Sequence, residues 1–198
     1  GLVWGAYVNT GQTCASIERA YIERPIFDRL AGRVVELTNE IKVGDPSLPD
    51  TDMGPLTTKG QLDIVVRHVE GALNAGARAL TGGKKLDGRG FFYPPTVVAD
   101  CTHDMRLMRE ETFGPVLPLM KFKHEAEAIA LANDSPYGLS ASVWSQDMER
   151  AERVARREVR LGGRTHAGPA DGPAAVSAPV GSAVTQGPVV VARTGVVV

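Results

Sequence analysis

The chain has 198 residues, 43% hydrophobic and 23% charged, with 22 lysines and arginines against 23 aspartates and glutamates and a formal net charge of −1. That composition suits one good-sized domain with a buried core, and the balanced charge gives no reason to expect nucleic acid or an anionic membrane as partner. Cys14 and Cys101 form no CxxC pair or Cys/His cluster, which argues against a disulfide scaffold or a structural zinc site and for a reducing cytoplasm.

The opening GLVWGAYVNTG has no basic region and no methionine. It reads as the interior of a longer protein, not as a signal peptide, and no apolar run reaches the roughly 20 residues of a membrane span. Trp4 and Tyr7 stand at helical spacing before Gly11. Residues 16–24 alternate apolar and charged side chains and predict a strand that Pro25 stops. From Ile26 the apolar positions recur every three to four residues to Ile41, predicting an amphipathic helix that Gly44-Asp45-Pro46 ends. A second helix fits 58–75, capped by Gly76 and followed by a short strand at 77–80.

Residues 81–90 (TGGKKLDGRG) form a surface loop; Gly82-Gly83-Lys84-Lys85 lacks the spacing of a phosphate-binding loop. A strand over 91–98 carries Pro94-Pro95, which predicts a sheet edge. Then come a strand at 116–122, a helix at 125–132, a strand at 140–145 and a helix capped by Asp147, with Glu149/Arg153 and Glu152/Arg156 at i,i+4 spacing. Alternating helices and short strands predict an α/β fold with an open, largely parallel sheet and flanking helices.

Beyond this the pattern is lost. Between Leu161 and Val198, 27 of 38 residues are Gly, Ala, Pro or Val. We read residues 158–198 as a low-complexity, disordered tail in which the closing valine runs could add an edge strand. The divided chain is thus a domain at 1–157 followed by this tail.

Two segments carry chemistry. Asn9-Thr10-Gly11-Gln12-Thr13-Cys14 places a thiol after a glycine turn. A turn of this kind suits a presented nucleophile with backbone N–H groups as oxyanion donors, and equally a small core residue. Cys101, in Asp100-Cys101-Thr102-His103, reads as structural. Glu110-Glu111-Thr112-Phe113-Gly114-Pro115 sets adjacent carboxylates before an aromatic and a turn. One of them can accept two hydrogen bonds from a ribose diol, or both are solvated acids. His68, His103, His124 and His166 show no metal-ligand spacing and read as surface residues; no metal site is expected.

Taken in order, these motifs resemble the aldehyde dehydrogenase superfamily: Gly11-Gln12-Thr13-Cys14, Gly44-Asp45-Pro46, Met53-Gly54-Pro55, Glu110-Glu111-Thr112-Phe113-Gly114-Pro115-Val116 and Asn133-Asp134-Ser135-Pro136-Tyr137-Gly138-Leu139-Ser140. The resemblance covers about residues 1–157 and implies a catalytic-domain-like, incomplete fold. It implies that Cys14 attacks an aldehyde to form a thiohemiacetal, its own N–H holding the oxyanion. Hydride passes to NAD or NADP, and the resulting thioester is hydrolysed to the acid. It also implies that Glu111 takes the nicotinamide-ribose hydroxyls and that Phe113 packs near the nicotinamide. Family members are homo-oligomers.

The family's dinucleotide-binding domain, its general-base glutamate and its oxyanion asparagine precede the cysteine by more than the 13 residues present, so no general base is assigned in this chain. An inactive truncated remnant is therefore one alternative and a cysteine-dependent hydrolase a remoter one. The family's next strand would follow the 147–157 helix, so its loss predicts exposed sheet groups and poor solubility. An out-of-frame reading of a GC-rich gene would account for the tail; sequencing the encoding DNA for a frame that restores a GxVxxN strand tests this.

Overall fold

The computed structural model of the protein describes residues 1–139, 141–158 and 190–194, with side chains assigned through Ala155. A short helix α1 (Leu2–Tyr7) leads through a tight turn to β1 (Ile17–Glu23) and α2 (Phe27–Asn39). Then come α3 (Lys59–Asn74), β2 (Arg78–Thr81), β3 (Thr96–Ala99), α4 (Arg106–Arg109) and β4 (Val116–Phe122). The chain continues with α5 (Glu125–Asn133), β5 (Ala141–Trp144), α6 (Met148–Glu158) and β6 (Val190–Thr194).

The strands form one sheet in the order β2-β3-β4-β1-β6-β5. β4 lies parallel to β1 on one side and to β3 on the other, while β2 and β6 run antiparallel to their neighbours. β1, β3, β4 and β5 therefore share one direction, and the sheet is open and largely parallel as the helix–strand alternation predicts.

The period-two alternation of strands sends successive residues to opposite faces, and both faces are covered. Tyr21, Val98, Val116 and Phe122 pack with α3, α5 and α6. Ala20, Ile22, Val97, Leu117 and Leu119 pack with α1 and α2. Thr58 caps α3 by accepting from the Gln61 N–H at 3.1 Å. Thr58→Ala is expected to cost about 1 kcal/mol in urea unfolding, the usual value of a lost N-cap.

Three expectations are corrected. β3 is an interior strand, because it begins at Thr96, after both prolines, so no ladder donor is missing; β2 takes the edge instead. Val190–Thr194, placed by sequence in a structureless tail or at an edge, pair with both β1 and β5 inside the sheet. These residues occupy the sheet position that was expected to be left open; residues 159–189 and 195–198 lie outside the described residues. Arg153 bonds Glu125 of α5 across the helix pair, and Arg150 bonds Glu23 and Glu125, so tertiary partners draw the arginines of α6. Arg156 lies outside the described side chains.

Topology positions the site. The 9–16 turn enters β1 and the 110–115 loop enters β4; since the two strands are adjacent and parallel, both segments sit at the same end of the sheet.

Candidate active site

The turn before β1 is built on unusual backbone. Asn9, Thr10 and Gly11 have φ of 53°, 61° and 71° in succession, in the left-handed region that costs a side-chain-bearing residue. Neighbours hold it there. Asn9 Nδ2 donates to Gln12 O at 2.9 Å, and Thr10 Oγ1 donates to Gly54 O at 3.3 Å. Gln12 Oε1 accepts from both the N–H and the hydroxyl of Thr57, at 2.9 and 2.8 Å. Ser16 N–H closes the next turn onto Thr13 O at 2.8 Å, leaving Cys14 exposed near its tip. Cys101, by contrast, is buried, and burial pushes its thiol up to about 12.

The 110–115 loop is gripped from three elements. Glu18 of β1 is buried, and its two carboxylate oxygens accept from Thr112 N–H and Phe113 N–H, each at 3.0 Å. Burial pushes this carboxyl up to about 7 against the pull of those two N–H bonds. Gln61 of α3 donates to Thr112 O at 2.7 Å and Phe113 O at 3.1 Å. The next residue of β1, Arg19, is also buried and donates to Glu110 O and to Ser135 Oγ, both at 3.3 Å. Its guanidinium lies 5.5 Å from the Tyr137 ring centre, and the Tyr137 hydroxyl accepts from Glu111 N–H at 3.3 Å.

The cysteine turn and this loop touch directly. A Cβ on Gly11 would lie 2.2 Å from Gly114 O, which leaves room for glycine alone. Phe113 carries a φ of 49°, so three of the four non-glycine residues with positive φ among those described belong to these two segments. Glu111 Oε1 is buried without a hydrogen-bond partner. Burial raises its carboxyl and the Arg19 charge offsets part of that rise. An acceptor oxygen withheld from water and from protein donors fits a hydroxyl-bearing ligand such as a ribose.

The structure thus brings Cys14, Glu111 and Phe113 into adjoining segments, together with Gly54 and Ser135 of two other motifs. Sequence reasoning missed Glu18, Arg19, Gln61, Tyr137 and His68. One signal was available: adjacent residues of a strand face opposite sides, so Glu18 and Arg19 cannot both face water in a strand covered on both faces. His68, expected at the surface, is buried, its ring nitrogens 3.1 Å from Thr112 Oγ1 and 3.2 Å from Glu110 Oε2. Its position on the inner face of α3 decides this. His124 is exposed, His103 half-buried, and His166 lies outside the described residues.

Comparison with known proteins agrees with the motifs. The profile of the aldehyde dehydrogenase family matches residues 1–181. The chain belongs to the aldehyde dehydrogenase family. The match runs past residue 157, where the motif resemblance ends. The chain is 46% identical over 153 residues to 4,4'-diapolycopene aldehyde oxidase of Methylomonas sp, covering 77% of this chain and 28% of that protein. It is 43% identical over 145 residues to succinate-semialdehyde dehydrogenase [NADP(+)] of Mycobacterium avium (strain 104), covering 73% of this chain and 31% of that one.

Among solved structures, lactaldehyde dehydrogenase from Escherichia coli superposes with a TM-score of 0.76 at 39% identity, over 79% of this chain and 33% of that one. Betaine aldehyde dehydrogenase from Staphylococcus aureus in complex with NAD+ gives 0.75 at 36% identity, over 79% and 32%. This chain therefore spans about a third of the length of the relatives it matches. Among the described residues no helix is long and apolar enough to cross a membrane.

Proposed function

We propose that this chain is part of the catalytic domain of an NAD(P)-dependent aldehyde dehydrogenase that oxidises an aldehyde to a carboxylic acid. The observation that carries the reading is the interlock of an exposed cysteine turn with a loop that presents a buried, unpartnered carboxylate oxygen. In this reading Cys14 is the nucleophile: its thiolate attacks the carbonyl carbon, and its own backbone N–H holds the oxygen that becomes negative. The strained 9–11 turn fixes where that thiol stands.

Glu111 holds the ribose hydroxyls and Phe113 packs against the nicotinamide of NAD or NADP, both of which appear in the names of relatives. Bound there, the cofactor supplies the hydride acceptor. We place the protein in the cytoplasm as a homo-oligomer acting on a small aldehyde, without nucleic acid as partner. The free cysteines and the near-zero net charge support the compartment and the last point.

Among the described residues, the partners of the histidines disfavour a hydrolase pairing with Cys14. His68 engages Thr112 and Glu110, His103 engages Tyr21 and Asp134, and His124 accepts from Glu127 N–H at the start of α5.

The test is incubation of the purified chain with NAD+ or NADP+ and a panel of aldehydes, following reduced cofactor, with Cys14→Ala as control. Aldehyde-dependent reduction lost in Cys14→Ala supports the dehydrogenase. Thiol-dependent ester cleavage with no cofactor reduction would leave a remnant with a reactive cysteine, and that outcome overturns the reading for this chain.

A further inference from the structure

We propose that Glu18 and Arg19 are positioning residues for Glu111, clamping the backbone on either side of it so that its carboxylate is held ready for a cofactor's ribose hydroxyls. The inference rests on the cofactor role read above for Glu111, and adds two residues that role does not include.

The clamp is unusually complete. Glu110 O is taken by Arg19, Glu111 N–H by Tyr137, Thr112 N–H and Phe113 N–H by Glu18, and Thr112 O and Phe113 O by Gln61. Six of the seven backbone groups from Glu110 O to Phe113 O, all but Glu111 O, are thereby tied to β1, α3 and the 133–139 loop. Two side-chain atoms of the clamp and the segment it holds are left buried and unpartnered, the donor Arg19 Nε and the acceptor Glu111 Oε1. A backbone fixed on both sides around one unsatisfied acceptor is organised to receive a donor from outside the chain.

Charge suits the two clamping positions. A carboxylate alone offers two acceptor oxygens to two successive N–H groups, which a glutamine cannot do without turning a donor towards a donor. Those bonds also offset the left-handed Phe113, whose φ of 49° a free loop would relax. Arg19 does three things from one planar group: it donates to Glu110 O and Ser135 Oγ and stacks on Tyr137, which itself receives the Glu111 N–H. Successive strand residues point to opposite faces, so the two reach the loop from different sides. Cys14 lies four residues before Glu18 on the same run into β1, so one short segment joins the proposed nucleophile to the clamp.

Amide hydrogen exchange on the full chain tests this without relying on turnover. At about pH 8, where the carboxyl of Glu18, raised to about 7 by burial, is ionised, Glu18→Gln is expected to lower protection of the Thr112 and Phe113 amides about tenfold or more, as for loss of a charged hydrogen bond, while Leu117 and Leu119 in β4 stay unchanged. In Tyr137→Phe, which keeps the ring beside Arg19, only the Glu111 amide should lose protection. Arg19→Lys should retain more loop protection than Arg19→Met.

Unchanged exchange at residues 111–113 overturns the proposal. So does a parallel fall in β4, which would make the two residues general supports of the fold. If Glu18→Gln does not fold, the comparison of Arg19→Lys with Arg19→Met decides. Titration with NAD+ separates the underlying reading: the clamp variants and Glu111→Gln should weaken binding together. Loss of loop protection with NAD+ affinity unaltered in Glu111→Gln would leave the clamp standing and remove the cofactor role of Glu111.

Discussion

Gly11→Ala is expected to destabilise the chain by about 3 kcal/mol or more, the upper range for a forced overlap in a packed site. The added Cβ would stand 2.2 Å from Gly114 O, 2.5 Å from Gly114 C and 3.0 Å from Ala6 O. All three are backbone atoms, so no rotamer change relieves the clash and the two loops must part. The φ of 71° adds about 1 kcal/mol more for any residue with a Cβ. Since a domain of this size holds only about 5–15 kcal/mol in total, urea unfolding should show an early transition.

Gly114→Ala provides the comparison. Its Cβ would meet Val65 Cγ2 at 2.4 Å, its nearest contacts are all side-chain atoms, and Gly114 has no positive φ, so a smaller loss is expected. A Gly11→Ala chain within 1 kcal/mol of wild type, about the loss of an ordinary point substitution, would show that the turn is not locked against the 110–115 loop. Parting the loops would also change the rate at which Cys14 reacts with a thiol reagent, which gives a second reading of the same contact.

Stability should also depend on pH through Glu18. Its carboxyl is raised to about 7 by burial, above the ordinary 4.5, so the folded chain binds this proton more tightly than the unfolded one. The stabilisation is fully present below about pH 4.5 and is lost as pH rises through about 7. Relative to Glu18→Gln, wild type should therefore gain about 3 kcal/mol between pH 8 and pH 4.5.

Buried His68 works in the opposite sense. Burial lowers its pKa below the ordinary 6.5, so its contribution is present above that value and declines as pH falls. Subtracting the Glu18→Gln curve removes this term from both chains. A difference curve that is flat from pH 8 to pH 4.5 would mean that Glu18 is ionised throughout and that the two N–H bonds outweigh its burial.

Much of the fold was legible because the responsible forces are local. β4 was read at 116–122, its observed span, as a short apolar run. The helix from Lys59 to Asn74 was legible from its apolar face and the glycine after it, which takes a φ of 100°. Ordered motifs named the family and singled out Cys14, Glu111 and Phe113.

Other features depend on partners far along the chain, and no local pattern encodes them. Thr112 and Phe113 are 94 and 95 residues from the glutamate that holds them, and β6 pairs with a strand that starts at Ile17. Glu18 and Arg19 look in sequence like the solvent-facing charges of an amphipathic strand. They are buried because helices cover both sheet faces. The sequence alone determined the family motifs and the run of helices and strands, since periodicity, caps and turns act over a few residues. Tertiary structure decided which of them meet and what holds Glu111 in place, because the parallel pairing of β1 and β4 brings distant loops to one end of the sheet.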